Sequence, residues 1–336
     1  MTDPLPDTIS LPDTMMAALC DGPGAPLDLR TVPVPMPAQG QVLVKLESCG
    51  ICHSDLHLRD GDEDLPDDFY PLILGHEGIG RVVQVGPDTP RAPALGTRVG
   101  LPWIYDTCQS CRPCLSGQET LCPENTARGV QRRGAFAQYA LAEAAFCPAI
   151  PDGIDPVGGA PLLCAGLTAW SALRKTRIEP GRTVLIVGAG GLGQYGVLIA
   201  RARGARVIVV DRDPVKLDIA RGLGADLALP ADENAADAIR AEGGADCVLN
   251  FAPSPSVWPM IHDPVDLSLM WLIDGGHRVF GSSVGSRAEM LDFLAFAAKH
   301  PLPVAVEPVS FANVNAALDR LKAGDVAGRL CIDFSL

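Results

Sequence analysis

Thr183-Val-Leu-Ile-Val-Gly-Ala-Gly-Gly-Leu-Gly193 runs from an uninterrupted apolar strand straight into a glycine-rich turn. A short apolar run bounded by glycines reads as a strand buried on both faces. Gly188, Gly190 and Gly193 fall at G-x-G-x-x-G spacing, and a helix-like stretch continues to about Arg203. Such glycines permit a tight turn, close approach of the backbone to a pyrophosphate and close packing of helix on strand. The phosphates would rest on the helix N-terminus, at Gly191 and Leu192. A second strand, Arg206–Val210, ends in Asp211, eighteen positions after Gly193. An acid there accepts hydrogen bonds from the ribose hydroxyls and repels a 2′-phosphate, so NAD is expected over NADP. Arg212 beside it is the contrary charge. Thr183–Ala200 carries no charged residue, which makes a membrane span the competing reading. The central glycines and the strand–turn–helix pattern oppose it.

Outward from this stretch, strands and helices alternate. Leu227–Leu229 and Cys247–Phe251 read as further strands, which predicts a Rossmann-type, doubly wound parallel sheet. Pro161–Lys175 reads as a helix joining two domains. Upstream, from Met15 to about Ile150, short apolar runs are punctuated by Gly and Pro, the pattern of an all-β, barrel-like domain. A helix over Phe311–Ala323 and a strand over Arg329–Phe334 are expected to return to that first domain. The predicted organisation is an α/β chain: a disordered tail over 1–14, one domain over 15–160 and 301–336, and a dinucleotide-binding domain over 161–300.

Eleven cysteines stand out in a chain of 336 residues. Cys108, Cys111, Cys114 and Cys122 follow the spacing C-x2-C-x2-C-x7-C within a polar, turn-rich stretch. The acidic, proline-rich start shows no secretory signal, so a cytoplasmic location is expected, and a reducing cytosol disfavours a disulfide framework. Four thiolates on a compact loop suit a closed tetrahedral zinc site, with an iron–sulfur cluster as the rival on spacing alone. A second group is more dispersed. Glu47-Ser-Cys-Gly-Ile-Cys-His-Ser-Asp-Leu-His57 follows the alternating strand Gln41–Leu46, and Leu74-Gly-His-Glu-Gly-Ile-Gly80 follows the apolar run Tyr70–Leu74. Cysteine, histidine and glutamate brought together would form a mixed site with one position open, the catalytic pattern for zinc. A lone histidine before a glycine is more often a packed or surface residue, so this reading leans on the neighbouring motifs. Forty acidic against 27 basic residues give a net charge of −13, which argues against nucleic acid or an anionic membrane as partner.

Taken in order, C-H-S-D-L-H, G-H-E-G-x-G, the four-cysteine lobe, P-L-L-C-A-G-L-T and G-A-G-G-L-G resemble the zinc-dependent medium-chain alcohol dehydrogenase family, from about Met15 onward. The resemblance implies a GroES-like catalytic domain beside the Rossmann-type one, with two zinc ions per chain and NAD. It implies Cys52, His76 and Cys164 as catalytic zinc ligands, with Glu77 able to enter the coordination sphere. It makes Cys108, Cys111, Cys114 and Cys122 structural zinc ligands, which selects zinc over iron–sulfur. Ser54 and His57 match a proton relay, Asp55 a carboxylate supporting His76, and Trp103 an aromatic wall of the substrate pocket. Thr168 and the Ser282–Gly285 loop, with Ser283 and Val284, match positions beside the nicotinamide, and Arg329 a residue reaching the pyrophosphate. The expected activity is interconversion of an alcohol, primary by preference, and an aldehyde or ketone, in a homo-oligomer (dimer or tetramer).

Two departures bear on that expectation. Asn250-Phe-Ala-Pro-Ser-Pro-Ser-Val-Trp-Pro-Met-Ile-His-Asp-Pro264 passes almost directly into Val265-Asp-Leu-Ser-Leu-Met-Trp-Leu-Ile-Asp274. Against the usual helix-plus-strand unit, roughly twenty residues are missing near 252–265. Either the cofactor sheet has five strands, or Cys247–Phe251 pairs irregularly with Arg278–Phe280. Gly61-Asp-Glu-Asp-Leu-Pro66 places acids where some primary-alcohol enzymes carry an aromatic residue; a solvated face is the preferred reading. The competing functions are a polyol or aromatic-alcohol dehydrogenase, and a zinc-stabilised nucleotide-binding protein with impaired turnover.

Overall fold

Gln41–Ile51, eleven residues long, organises the first of two units in the computed structural model, which describes residues 11–63, 65–252 and 278–336. Along one edge it pairs antiparallel with Gly78–Val85. Its first half, Gln41–Lys45, also pairs with Tyr139–Glu143, and its second half, Ser48–Ile51, with Arg329–Asp333. Two partners in succession along one strand curl the sheet, and register shifts at Leu43/Val44 and Leu46/Ser48 add the bulges that bend it. Val306–Ser310 and Arg98–Leu101 complete six strands. A second sheet orders Asp28–Pro33, Thr14–Cys20 and Leu72–Ile73, all antiparallel. Leu43, Val44, Ile51, Leu74, Val82 and Phe136 fill one core between them. The short apolar runs seen in the sequence are these strands, each presenting its buried face inward.

The second unit takes in Ala165–Gly285 with His300–Val304; the first holds the chain to Cys164, Ser286–Lys299 and Ala305–Leu336. Its parallel sheet runs Leu227–Pro230, Arg206–Asp211, Thr183–Val187, Cys247–Asn250, the order of a doubly wound half-sheet whose direction reverses beside the glycine loop. Helices Gly191–Ala202, Pro214–Gly222 and Ala235–Ala241 connect the strands. Pro214 follows Asp213, whose carboxylate accepts from Val215 N at 2.9 Å, a cap worth about 1 kcal/mol. Leu185, Val187, Ile208, Val210 and Ile239 form the core on one face. The charge-free stretch that resembled a membrane span is a five-residue strand and a twelve-residue helix. Among the described residues no single helix is long and apolar enough to cross a membrane.

Four expectations shift. Ordered structure starts before Met15: Thr14 already pairs with Pro33, and Asp13 O accepts from Val34 N at 3.0 Å. The joining helix is broken, with a 3-10 turn over Ala160–Leu163, a kink at Cys164 and the α-helix Ala165–Thr176. Ser286–Lys299, expected with the dinucleotide domain, groups with the first unit. Cys247–Asn250 pairs in regular parallel register with Val184–Val187, and Arg278–Phe280 carries no strand. The shortened connection itself falls, over 253–277, outside the described residues, as does the tail over 1–10.

Candidate metal centres and cofactor loop

Cys108 and Cys111 lie on the loop after strand Ile104–Asp106, Cys114 on the short helix Arg112–Leu115, and Cys122 just after a 3-10 turn. All four are free thiols, and their sulfurs lie within 4.8 Å of one another. Adjacent sulfur separations are 3.5 Å (Cys111–Cys114), 3.6 Å (Cys122–Cys108) and 3.9 Å (Cys108–Cys114). A zinc–sulfur bond of about 2.3 Å sets tetrahedral edges of about 3.8 Å, whereas a disulfide needs about 2.05 Å. The thiols therefore fit a metal and not each other. Gln109, in a left-handed conformation (φ 56°), turns the loop so that Cys111 N points at Cys108 Sγ, 3.3 Å away. Backbone N–H groups of Ser110 and Cys111 hold the Cys108 thiol down to about 6, so it presents a thiolate at neutral pH.

The second cluster is built by three separate elements. Cys52 ends the long strand and caps helix His53–Asp60; His76 and Glu77 immediately precede strand Gly78–Val85; Cys164 sits at the helix break. Their ligating atoms also lie within 4.8 Å of one another, and His76 and Glu77 are wholly buried. His76 Nε2 is buried without a hydrogen-bond partner in the protein. Such an orphan is costly unless something else occupies it. A hydrogen bond from the Cys164 thiol holds Cys52 well below the ordinary thiol range. Burial opposes charge on His76, yet Asp55 and Cys52 outweigh it and raise its pKa well above normal. Two thiols, an imidazole and a carboxylate suit zinc with an exchangeable position.

Asp55 ties this nest together. Its Oδ2 accepts from Cys52 N at 2.9 Å, its Oδ1 from Gly75 N at 3.0 Å, and Oδ1 lies 3.2 Å from His76 Nδ1. One carboxylate thus fixes both chain segments and lies beside the ring that a metal would need oriented. Glu77 is held differently: Arg329 Nη2 donates to both of its oxygens, at 2.5 and 2.6 Å. Burial pushes Glu77 up to about 7, against the pull of Arg329. Arg329, expected to reach the pyrophosphate, is 6% exposed, and its Nη2 is engaged by Glu77. Ser54 Oγ stands 3.9 Å from Cys52 Sγ, half-buried beside the nest. His57 is exposed, with Nδ1 2.7 Å from Asp62 Oδ2, so one of the acids in the 61–66 loop is engaged and not merely solvated. Trp103 meets His76 edge-on, ring centres 4.8 Å apart.

In the second unit, Gly188 takes φ 96°, and a Cβ on Gly193 would come within 1.9 Å of Gly188 O. Gly190 has open space where its side chain would be, room for a phosphate to approach the backbone. Helix Gly191–Ala202 then starts with Gly191, Leu192 and Gly193 in its exposed-donor first turn. Asp211 accepts from Ala189 N at 2.6 Å and Asp213 N at 2.9 Å, which holds its carboxylate against the glycine loop. Helix Ala165–Thr176 carries Thr168 and, two turns on, Lys175, whose Nζ bonds Gly281 O and Ser282 Oγ at 3.2 and 2.9 Å. That contact anchors the loop of Ser283 and Val284; Val284 sits at φ 37°, a strained setting for a β-branched residue.

Sequence reasoning missed the Glu77–Arg329 pair, the Asp62 contact and a clamp on the cysteine lobe. Arg287 donates through N and Nε to Glu119 at 2.7 and 2.6 Å, and through Nη1 to Gln109 and Ala145. Glu119, buried between Cys114 and Cys122, was the available signal: a carboxylate inside a turn has to find a cation.

Comparison with known proteins fits this geometry. Residues 38–152 match the alcohol dehydrogenase GroES-like domain, and residues 191–263 match the zinc-binding dehydrogenase family. An alcohol dehydrogenase of Geobacillus stearothermophilus is 36% identical over 336 residues, covering 95% of this chain and 98% of that protein. A cinnamyl alcohol dehydrogenase structure from Sorghum bicolor aligns with a TM-score of 0.86 at 30% identity, over 96% of this chain and 98% of that one. An acetophenone reductase from Geotrichum candidum, solved in complex with NAD, aligns at 0.84 and 28% identity with the same coverage.

Proposed function

This chain belongs to the zinc-dependent medium-chain alcohol dehydrogenase family, and from that premise we propose that it interconverts a small primary alcohol and its aldehyde. It is an NAD-dependent zinc oxidoreductase. The observation that carries the proposal is the buried His76 Nε2 without a protein partner, among two thiols and a carboxylate.

Cys52, His76 and Cys164 would hold the catalytic zinc, and the four-cysteine lobe a second ion. Zinc in the first site supplies a Lewis acid that lowers the pKa of an alcohol, and NAD supplies the hydride acceptor. The protein contributes the rest. Asp55 keeps Cys52, Gly75 and His76 in register. Arg329 holds Glu77 beside the ligands and leaves it room to exchange with them. Ser54, beside Cys52, takes the hydroxyl proton, and His57, exposed and oriented through Nδ1 by Asp62, delivers it to solvent. Gly188–Gly193 and Asp211 would take the pyrophosphate and adenosine ribose, and Thr168, Ser283 and Val284 would lie beside the nicotinamide. Trp103, edge-on to His76, narrows the space above the site and supports a small substrate. Eleven free thiols support a reducing, cytoplasmic location. Exposed Val279 and Phe280 support self-association as a dimer or tetramer.

The test is metal content per chain together with NADH formation over primary, secondary, polyol and aromatic alcohols. Two zinc ions and highest kcat/KM on a short primary alcohol are expected. Two zinc ions and tight NAD binding with no turnover on any alcohol would defeat the proposal.

A further inference from the structure

Arg128 heads the fully buried side chains of the described structure, with no exposed surface. Burying a charge is costly, and the usual remedy is a carboxylate. Among the described residues Arg128 forms no ion pair. Its guanidinium instead donates from Nη1 to Leu141 O at 2.9 Å and from Nε to Pro102 O at 3.4 Å, and it lies over the Tyr105 ring, 4.7 Å from the centre. Its backbone N donates to Trp103 O at 2.8 Å. Burial lowers its pKa, but an arginine stays protonated.

Apart from the bond to Leu141 O, on strand Tyr139–Glu143, these contacts converge on one segment. Pro102, Trp103 and Tyr105 lead into strand Ile104–Asp106, which pairs with Thr126–Ala127 immediately before Arg128. The Arg128 side chain holds Pro102 O and the Tyr105 ring face, and its backbone N holds the carbonyl of Trp103 between them. Trp103 in turn meets His76 at 88°, so the orientation of its ring is referred directly to a metal-ligand candidate. A hydrophobic side chain could fill the volume of Arg128, but it could not hold two carbonyls and a ring face at once.

We propose that Arg128 is a positioning residue whose guanidinium fixes the Pro102–Tyr105 backbone, sets the plane of Trp103 against His76, and thereby determines the size of alcohol accepted. This rests on the reading of Trp103 as the pocket wall. The planar fork is what the role requires, so lysine does not substitute for it.

The test uses the full-length, zinc-loaded enzyme with ethanol and benzyl alcohol as probes. Arg128→Met and Arg128→Lys are expected to change the ratio of kcat/KM for the two alcohols by about ten-fold or more, chiefly through KM. Trp103→Ala is expected to shift the ratio in the same direction, and the Arg128→Met/Trp103→Ala double variant to shift it no further. If Arg128→Met does not fold, Tyr105→Leu removes the ring beneath the guanidinium, keeps its carbonyl contacts and carries the same expectation. An unchanged ratio in a folded Arg128→Lys enzyme with two zinc ions overturns the inference, as do independent, multiplying effects in the double variant. Should Trp103→Ala leave the ratio unchanged, the pocket reading itself falls and takes the inference with it. A shift in Trp103→Ala alone sinks only the role of Arg128.

Discussion

The two metal centres of this chain solve one problem by opposite means. The cysteine lobe draws four like donors from fifteen consecutive residues, three of them only partly buried, and shapes a loop that has little core of its own. The second centre draws unlike donors from three elements spread over Cys52–Cys164, buries them, and leaves an imidazole nitrogen without a protein partner. In the proposed reading the first would be closed by its four thiolates and serve shape, and the second would keep a position for substrate, with its carboxylate bonded to Arg329. A local centre depends on its metal to fold, whereas a dispersed centre inherits its geometry from the sheet around it.

That contrast can be broken experimentally. The largest effect is expected for Cys52→Ala: kcat/KM falls by roughly a thousand-fold or more, zinc drops from two ions to one, and Tm barely moves. Steady-state kinetics, metal analysis and a thermal melt read all three. A Cys52→Ala protein that melts early would mean that the dispersed centre also builds the fold. Cys111→Ser should show the reverse pattern. One zinc is lost and Tm falls by about 10 °C, while folded molecules at low temperature keep most of their kcat. Loss of turnover at a temperature where circular dichroism shows a native spectrum would merge the two centres into one functional unit.

The division also explains what could be read in advance. The lobe was legible because its donors share a loop, and the dinucleotide motif because strand, glycines, helix and acid follow one another. Cys52, His76 and Cys164 could be joined only by family resemblance, since no local period links a strand end, a loop and a helix break. The contact of Arg329 with Glu77 was hidden for a related reason. Its strand lies against the one ending at Ile51, and nothing within five residues of Arg329 reveals that Glu77 is its neighbour. Arg287 and Arg128 were invisible because a partner 168 residues away, or a backbone carbonyl, leaves no mark in sequence spacing. The break at Cys164 was hidden by apolar composition, which continues unchanged from the 3-10 turn into the helix.

Smaller effects refine the contrast. Asp55→Ala should weaken zinc at the dispersed centre and lower activity by about 10- to 100-fold without touching the lobe. Competition with a chromophoric chelator checks this, and equal loss of both zinc ions would contradict it. Arg287→Ala removes the clamp on Glu119 and should cost about 1–3 kcal/mol, a Tm decrease of a few degrees, with zinc stoichiometry intact. A melt indistinguishable from the parent would show that the lobe needs no support beyond its metal.

The strand Arg329–Asp333, set between Val306–Ser310 and Gln41–Ile51, carries a consequence for synthesis. Translation proceeds at about 5–20 residues per second, so tens of seconds separate the emergence of Ile51 from that of Arg329. Throughout that interval Cys52, His76 and then Cys164 can meet zinc while Glu77 still lacks its arginine. The dispersed centre therefore takes its final form only when the returning strand brings Arg329 to Glu77, whereas the lobe has all four of its cysteines once Cys122 is made.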